Sequence, residues 1–137
     1  MIYVYDASYV SALIIPDEKN PIMDKFHRAT SENDEIYTPQ LLWCEMANVI
    51  RNLIRRRRYV FKEVEHFFPM ISFIKLITDF STGINYSKKI WAIANNYNLS
   101  AYDAAYLELA ERKNAVLCSL DENLNKAARQ YGVTIIN

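Results

Sequence analysis

The sequence predicts an α/β protein, a parallel β-sheet covered by helices on both faces. Three observations lead there. Short β-branched and aromatic runs alternate along the chain with helical segments, the pattern of a parallel sheet with helical crossovers. Hydrophobic residues make up 51% of the 137 positions, enough for a substantial core. No internal repeat, low-complexity stretch or linker-like segment interrupts the alternation, so 1–137 reads as a single domain.

The elements follow in order. Ile2–Tyr5 is a strand that ends at Asp6. Residues 7–15 form a short helix stopped by Pro16. Asn20 and Pro21 open a second helix, with proline at the first helical position, reaching about residue 31. Residues 35–38 are a strand, and Pro39 opens a long helix through about Arg57. Residues 62–71 read as helix despite Pro69, and 73–77 as strand. Ile84, Trp91, Ile93 and Ala94 set a helical spacing over 81–97. Residues 100–113 form a helix rich in Ala, Leu and Glu. Then come a strand at 115–118, a helix at 122–131 closed by Gly132 as a left-handed cap, and a last strand at 133–136. Trp43, Phe67, Phe68, Phe73 and Trp91 lie on apolar spacings and are expected in the core. Within the first helix, residues 10–15 are apolar around most of the circumference, which suits the interior or a partner's surface.

Composition excludes several functions. The only glycines, Gly83 and Gly132, leave no glycine-rich phosphate cradle, neither dinucleotide fingerprint nor P-loop. Cys44 and Cys118 cannot make a disulfide scaffold or a four-cysteine metal site. His27 and His66 have no metal-pair spacing. Sixteen basic residues balance sixteen acidic ones, so overall charge points to no polyanion. The opening residues lack the basic region of a signal peptide, and the longest apolar runs are too short or too interrupted to span a bilayer. The expectation is a soluble cytoplasmic protein whose two thiols are free and buried.

The acids carry the chemistry. In an open parallel sheet, ligands bind at the carboxyl ends of the strands. Asp6 ends the first strand, Asp121 follows the strand at 115–118, and Asp103 sits in the first turn of the helix opened by Ser100. Each also suits a helix cap, Asp103 as the fourth member of a capping box. Glu45 lies mid-helix beside Leu41, Leu42 and Val49, with Asn48 and Asn52 on the same face as a polar seam. A carboxylate on that stripe costs several kcal/mol unless paired or bound to a metal; an ion pair with Arg or Lys is the alternative. Oxygen-only acids without a His or Cys partner suit a hard divalent cation, and so nuclease or phosphatase chemistry. Arg51, Arg55, Arg56, Arg57, Arg58 and Lys62 form the one strong charge segregation: a solvated helix end, an RNA-phosphate patch, or a dock for an acidic partner segment.

With these motifs the chain resembles the PIN-domain ribonucleases, most closely the VapC-type toxins of toxin–antitoxin pairs. The matching pieces are Val4-Tyr5-Asp6-Ala7-Ser8, residues 42–49 around Glu45, Ser100-Ala101-Tyr102-Asp103-Ala104-Ala105-Tyr106-Leu107-Glu108-Leu109-Ala110, and residues 117–124 around Asp121. They cover essentially the whole chain. The resemblance implies a three-layer α/β/α sandwich with about five parallel strands in the order 3-2-1-4-5. It implies Asp6, Glu45, Asp103 and Asp121 as catalytic and metal-holding acids, supported by Ser8 and Ser119. It also implies cleavage of single-stranded regions of RNA with Mg²⁺ or Mn²⁺, a homodimer, and silencing by a cognate antitoxin. Asn125 stands four residues after Asp121, where some relatives carry a further acid; an amide adds no charge there, which favours one ion over two.

Three rivals are weaker. A HAD-type phosphatase needs a second Asp where Ser8 stands, and a receiver-like module needs an acidic pair and a late Lys that are missing, although Asp79 could pose as its acceptor. A PIN fold kept only as an RNA-binding or interaction scaffold would not need all four acids.

Overall fold

A computed structural model describes residues 1–136. Its sheet is wholly parallel. Strands β1 (Ile2–Tyr5), β2 (Glu35–Pro39), β3 (Ile77–Asp79) and β4 (Val116–Cys118) lie in the order β3-β2-β1-β4. Eight α-helices connect and cover it among the described residues: α1 (Ala7–Ile14), α2 (Pro21–Arg28), α3 (Leu41–Arg55), α4 (Phe61–Val64), α5 (Phe67–Ser72), α6 (Ile84–Tyr97), α7 (Ala101–Arg112) and α8 (Glu122–Tyr131). Among the described residues the segment after α8 adds only a parallel bridge, Leu117 with Ile135, so the fifth strand is present in place but not in length. Its position outside β4 agrees with the expected order.

Central β1 registers Val4 against Tyr37 of β2 on one side and Leu117 of β4 on the other. Val4, Tyr5 and Leu117 are wholly buried, as doubly covered strands require. Helix α7 packs on β1, β2 and β4 and carries α6 and α8, while α1 gathers α2, α3 and α5. Every residue of α7 from Ala104 to Ala110 is buried, including Glu108. Glu108 is taken up by Arg112 at 2.8 Å and Lys89 at 3.3 Å, and Arg112 also reaches Asp79 at 2.8 Å. Arg112 neutralises Asp79, which removes the receiver-like use of that acid.

Several expectations shift. The strand foreseen at 73–77 forms instead at Ile77–Asp79: Phe73 caps α5, and Lys75 turns the chain with φ 58°. The helix foreseen at 62–71 breaks into α4 and α5; Pro69 falls in the first turn of α5, where a missing N–H costs no helical bond. Phe67 is core, but Phe73 (80% exposed), Trp91 (65%), Phe68 (52%) and Trp43 (43%) are on the surface. Cys118 is buried as expected, whereas Cys44 is exposed because α3 buries Leu42, Met46, Ile50 and Leu53 instead. No helix among the described residues is long and apolar enough to cross a membrane.

Candidate active site

The site forms where β1 and β4 end side by side. The sheet order reverses here: chain leaving β1 turns into α1, and chain leaving β4 turns into α8. The Asp6 amide donates to the Cys118 carbonyl at 3.2 Å, so the residue after each strand is brought to its counterpart.

Asp6 is 4% exposed. Its Oδ1 accepts from Ser8 Oγ at 2.7 Å and from the Tyr9 amide at 2.8 Å; its Oδ2 accepts from the Ser119 hydroxyl. Those hydroxyls also brace the backbone. Ser8 Oγ accepts the Leu120 amide at 2.9 Å, and Ser119 Oγ accepts the Asp121 amide at 3.0 Å. The two serines thus stitch the end of β1 to the end of β4 and fix the Asp6 carboxylate between them. Burial pushes the Asp6 carboxyl up to about 6; the three hydrogen bonds oppose the rise and the charge of Asp103 adds to it.

The other acids arrive from helices. Glu45 is half-buried on α3, and its Oε1 accepts the Tyr106 hydroxyl at 2.7 Å. No ion pair with Arg or Lys forms there among the described residues, which removes that alternative. Burial raises the Glu45 carboxyl, the Tyr106 hydrogen bond opposes this, and the charges of Asp6 and Asp103 add to it. Asp103 lies in the first turn of α7, where Ser100 Oγ accepts its amide at 3.1 Å. Burial and then the charge of Asp121 raise its carboxyl. Asp121 caps α8, accepting the Leu124 amide at 2.9 Å. Capping and membership of the acid cluster therefore coincide for Asp6 and Asp121, and one does not exclude the other.

Charge links the acids pair by pair: Asp103 acts on Asp6 and Glu45, Asp6 on Glu45, and Asp121 on Asp103. None has a salt-bridge partner among the described residues. A set of desolvated, mutually repelling carboxylates gains from a cation, and the all-oxygen donor set suits a hard one. No three His, Cys, Asp or Glu side chains among the described residues stand close enough to clasp an ion directly. A cation that keeps several waters, as Mg²⁺ does, reaches such spaced carboxylates through those waters. A second observation fits. Asn125 Nδ2 donates to the Ser119 carbonyl at 2.9 Å, while its Oδ1 is buried without a partner, an acceptor placed for a water beside the acids.

Tyr106 is the site residue that sequence reasoning passed over. Its place three residues after Asp103, on the same helical face, is the signal that points to it. The basic run does not act as one surface. Arg58 is tied to Asp17 at 2.6 Å and Glu18 at 3.1 Å. Arg51, Arg55, Arg56 and Arg57 are exposed and unpaired among the described residues. Lys62 is likewise exposed, on α4.

Known proteins share this fold. The PIN domain family matches residues 3–130. The chain belongs to the PIN-domain family. It is 31% identical over 131 residues to ribonuclease VapC3 of Pyrobaculum aerophilum, covering 88% of this chain and 90% of that protein. PAE2754 from Pyrobaculum aerophilum shares the fold with a TM-score of 0.73 at 19% identity, over 98% of this chain and 89% of that one. VapBC2 from Rickettsia felis, solved bound to a DNA fragment from its promoter, shares it with a TM-score of 0.71 at 15% identity, over 100% of this chain and 98% of that one.

Proposed function

We propose that this PIN domain is a divalent-metal-dependent endoribonuclease that cuts single-stranded regions of RNA, acting as the toxin of a toxin–antitoxin pair. The observation that carries the reading is buried Asp6 at the sheet's switch point, with the charge of Asp103 acting on it and on Glu45, that of Asp121 on Asp103, and no cationic side chain among the described residues paired with any of the four. A relative 31% identical is named a ribonuclease, and that supports the RNA substrate.

Mg²⁺ or Mn²⁺, held directly or through water by Asp6, Glu45, Asp103 and Asp121, would supply positive charge beside the scissile phosphate and acidify water at neutral pH. The chain's own residues prepare the place. Ser8, Ser119 and the Tyr9 amide hold Asp6 in one orientation, and the Tyr106 hydroxyl holds Glu45. Asp103 sits in the first turn of α7 and Asp121 caps α8, so the two helix starts set where these acids stand. Asn125 offers a neutral oxygen in place of a fifth charge, which favours one ion over two.

The protein partners proposed are a cognate antitoxin and a second copy of the chain, in the cytoplasm. Two exposed apolar faces suit two such contacts: Phe61 with Phe68, and Trp91 with Tyr102.

The test is cleavage of a mixed RNA pool by metal-stripped protein with Mg²⁺, with Mn²⁺ and with EDTA, beside folded Asp103→Asn. Cleavage that needs both metal and Asp103 is the expected result. Cleavage that survives EDTA or the substitution overturns the assignment, and folded protein that binds RNA without ever cutting it leaves the scaffold role in its place.

A further inference from the structure

A cleft of about 550 Å³ runs between α1 and α3; none of the four acids lines it, and Ser8, which holds Asp6, connects it to them. Ser8 and Leu120 line its inner end; the same Ser8 hydroxyl holds Asp6 and the Leu120 amide. Val49 and Leu53 give it an apolar wall, with Asn52 on α3 and Arg56, the C-cap of α3, four residues apart beside them. Arg58 also lines the cleft and is already bound to Glu18. Among the described residues Arg56 has no acidic partner, and the Asn52 side chain makes no hydrogen bond. The two polar groups that face this cleft uncommitted are therefore a neutral amide and a guanidinium.

We infer that this cleft seats the RNA strand on one side of the scissile phosphate, with Asn52 reading a base edge and Arg56 holding a backbone phosphate. The inference rests on the ribonuclease reading above. Each feature has its counterpart in a single strand. The apolar wall suits a base face. An amide carries a donor and an acceptor side by side, the pattern that discriminates base edges. A guanidinium binds phosphate oxygens in a fork. The spacing follows the strand outward: Asn52 lies two turns beyond Glu45 on α3, about 10 Å along the axis, and Arg56 about 16 Å. A base-edge reader close to the acids and a phosphate holder farther out would give the enzyme a preference for one flanking nucleotide without base contacts at the cut itself.

The test pairs two readouts on Asn52→Ala, Arg56→Ala and Arg56→Lys, with Lys88→Ala on α6 as a charge-matched control. Cut positions are mapped on a randomised RNA with the otherwise wild-type protein and Mg²⁺. Salt dependence of binding to a single-stranded RNA is measured in the Asp103→Asn background. Asn52→Ala is expected to level the flanking-nucleotide preference by about tenfold. Arg56→Ala should reduce the slope of log binding constant against log salt by about 0.7 without changing which nucleotides are preferred, and Arg56→Lys should restore the slope. If the parent protein cuts RNA but Asn52→Ala keeps its cut pattern and Arg56→Ala its slope, the cleft assignment is overturned and the ribonuclease reading stands. If those variants instead lose a protein partner while their RNA behaviour is unchanged, the cleft belongs to a peptide and the inference is equally overturned. A parent protein that neither binds nor cuts RNA removes the underlying reading itself.

Discussion

Replacing Asp6 by Asn should change how stability depends on pH. The folded Asp6 carboxyl is raised to about 6 from the ordinary value of 3.8, so the folded state binds its proton more tightly than the unfolded chain does. Below pH 3.8 both states are protonated and the group costs nothing. Between 3.8 and 6 the unfolded chain ionises first, so stability falls as pH rises, and above 6 the full penalty of about 3 kcal/mol remains. From pH 4.5 to pH 7 the part of that penalty that develops is about 2 kcal/mol. Asp6→Asn cannot titrate and escapes it. Relative to the variant, the wild type should therefore lose about 2 kcal/mol over this range, or roughly 6–8 °C in Tm for a chain of this size. The lost hydrogen bonds of the substitution shift the variant's whole curve but not this difference in slope. Thermal melts at several pH values, in EDTA, measure it. Adding Mg²⁺ at pH 7 should then recover stability in the wild type and little in the variant. Parallel pH profiles for the two proteins would refute the claim that Asp6 is held as a desolvated charge.

Other substitutions probe the surroundings. Tyr106→Phe removes the one hydroxyl on Glu45 and should lower kcat/KM for RNA about tenfold while costing only about 1 kcal/mol in denaturant unfolding. Asn125→Asp replaces the unpartnered oxygen with a fifth carboxylate; the metal-free protein should melt lower, and calorimetry should show tighter Mg²⁺ binding than in the wild type. Gly132→Ala meets no atom within 4 Å but forces a side chain into φ +90°, so it should cost about 1 kcal/mol with cleavage unchanged.

Much of this site was legible in residue order alone. Asp6 and Asp121 stand directly past short β-branched strands, and a parallel sheet brings such residues to one edge. Glu45 betrayed itself as a carboxylate beside Leu41, Leu42 and Val49, of which Leu42 is buried and the other two half-buried. What the chain order conceals is contact between distant elements. Glu45 could as well have met an arginine as the Tyr106 hydroxyl, since 61 residues separate the pair. Trp91 and Phe73 sit on apolar spacings yet face outward, because which side of α6 or which end of α5 is covered depends on neighbours that periodicity does not name. The edge strand β3 was misplaced for a related reason: with one neighbour only, its register comes from pairing with β2, Tyr37 to Ile77 and Pro39 to Asp79, and not from its own composition. The arginine run was visible, but its division into a structural Arg58 and freely exposed neighbours required the positions of Asp17 and Glu18.

The central claim is that four carboxylates together hold one divalent cation. Titration of Mn²⁺ into metal-stripped protein, with free ion followed by electron paramagnetic resonance, tests it most directly in the wild type and in Asp6→Asn, Glu45→Gln, Asp103→Asn and Asp121→Asn. A single site in the wild type, weakened at least tenfold in each variant while far-ultraviolet circular dichroism stays native, is the predicted result. Binding that survives any two of these substitutions unchanged would contradict it.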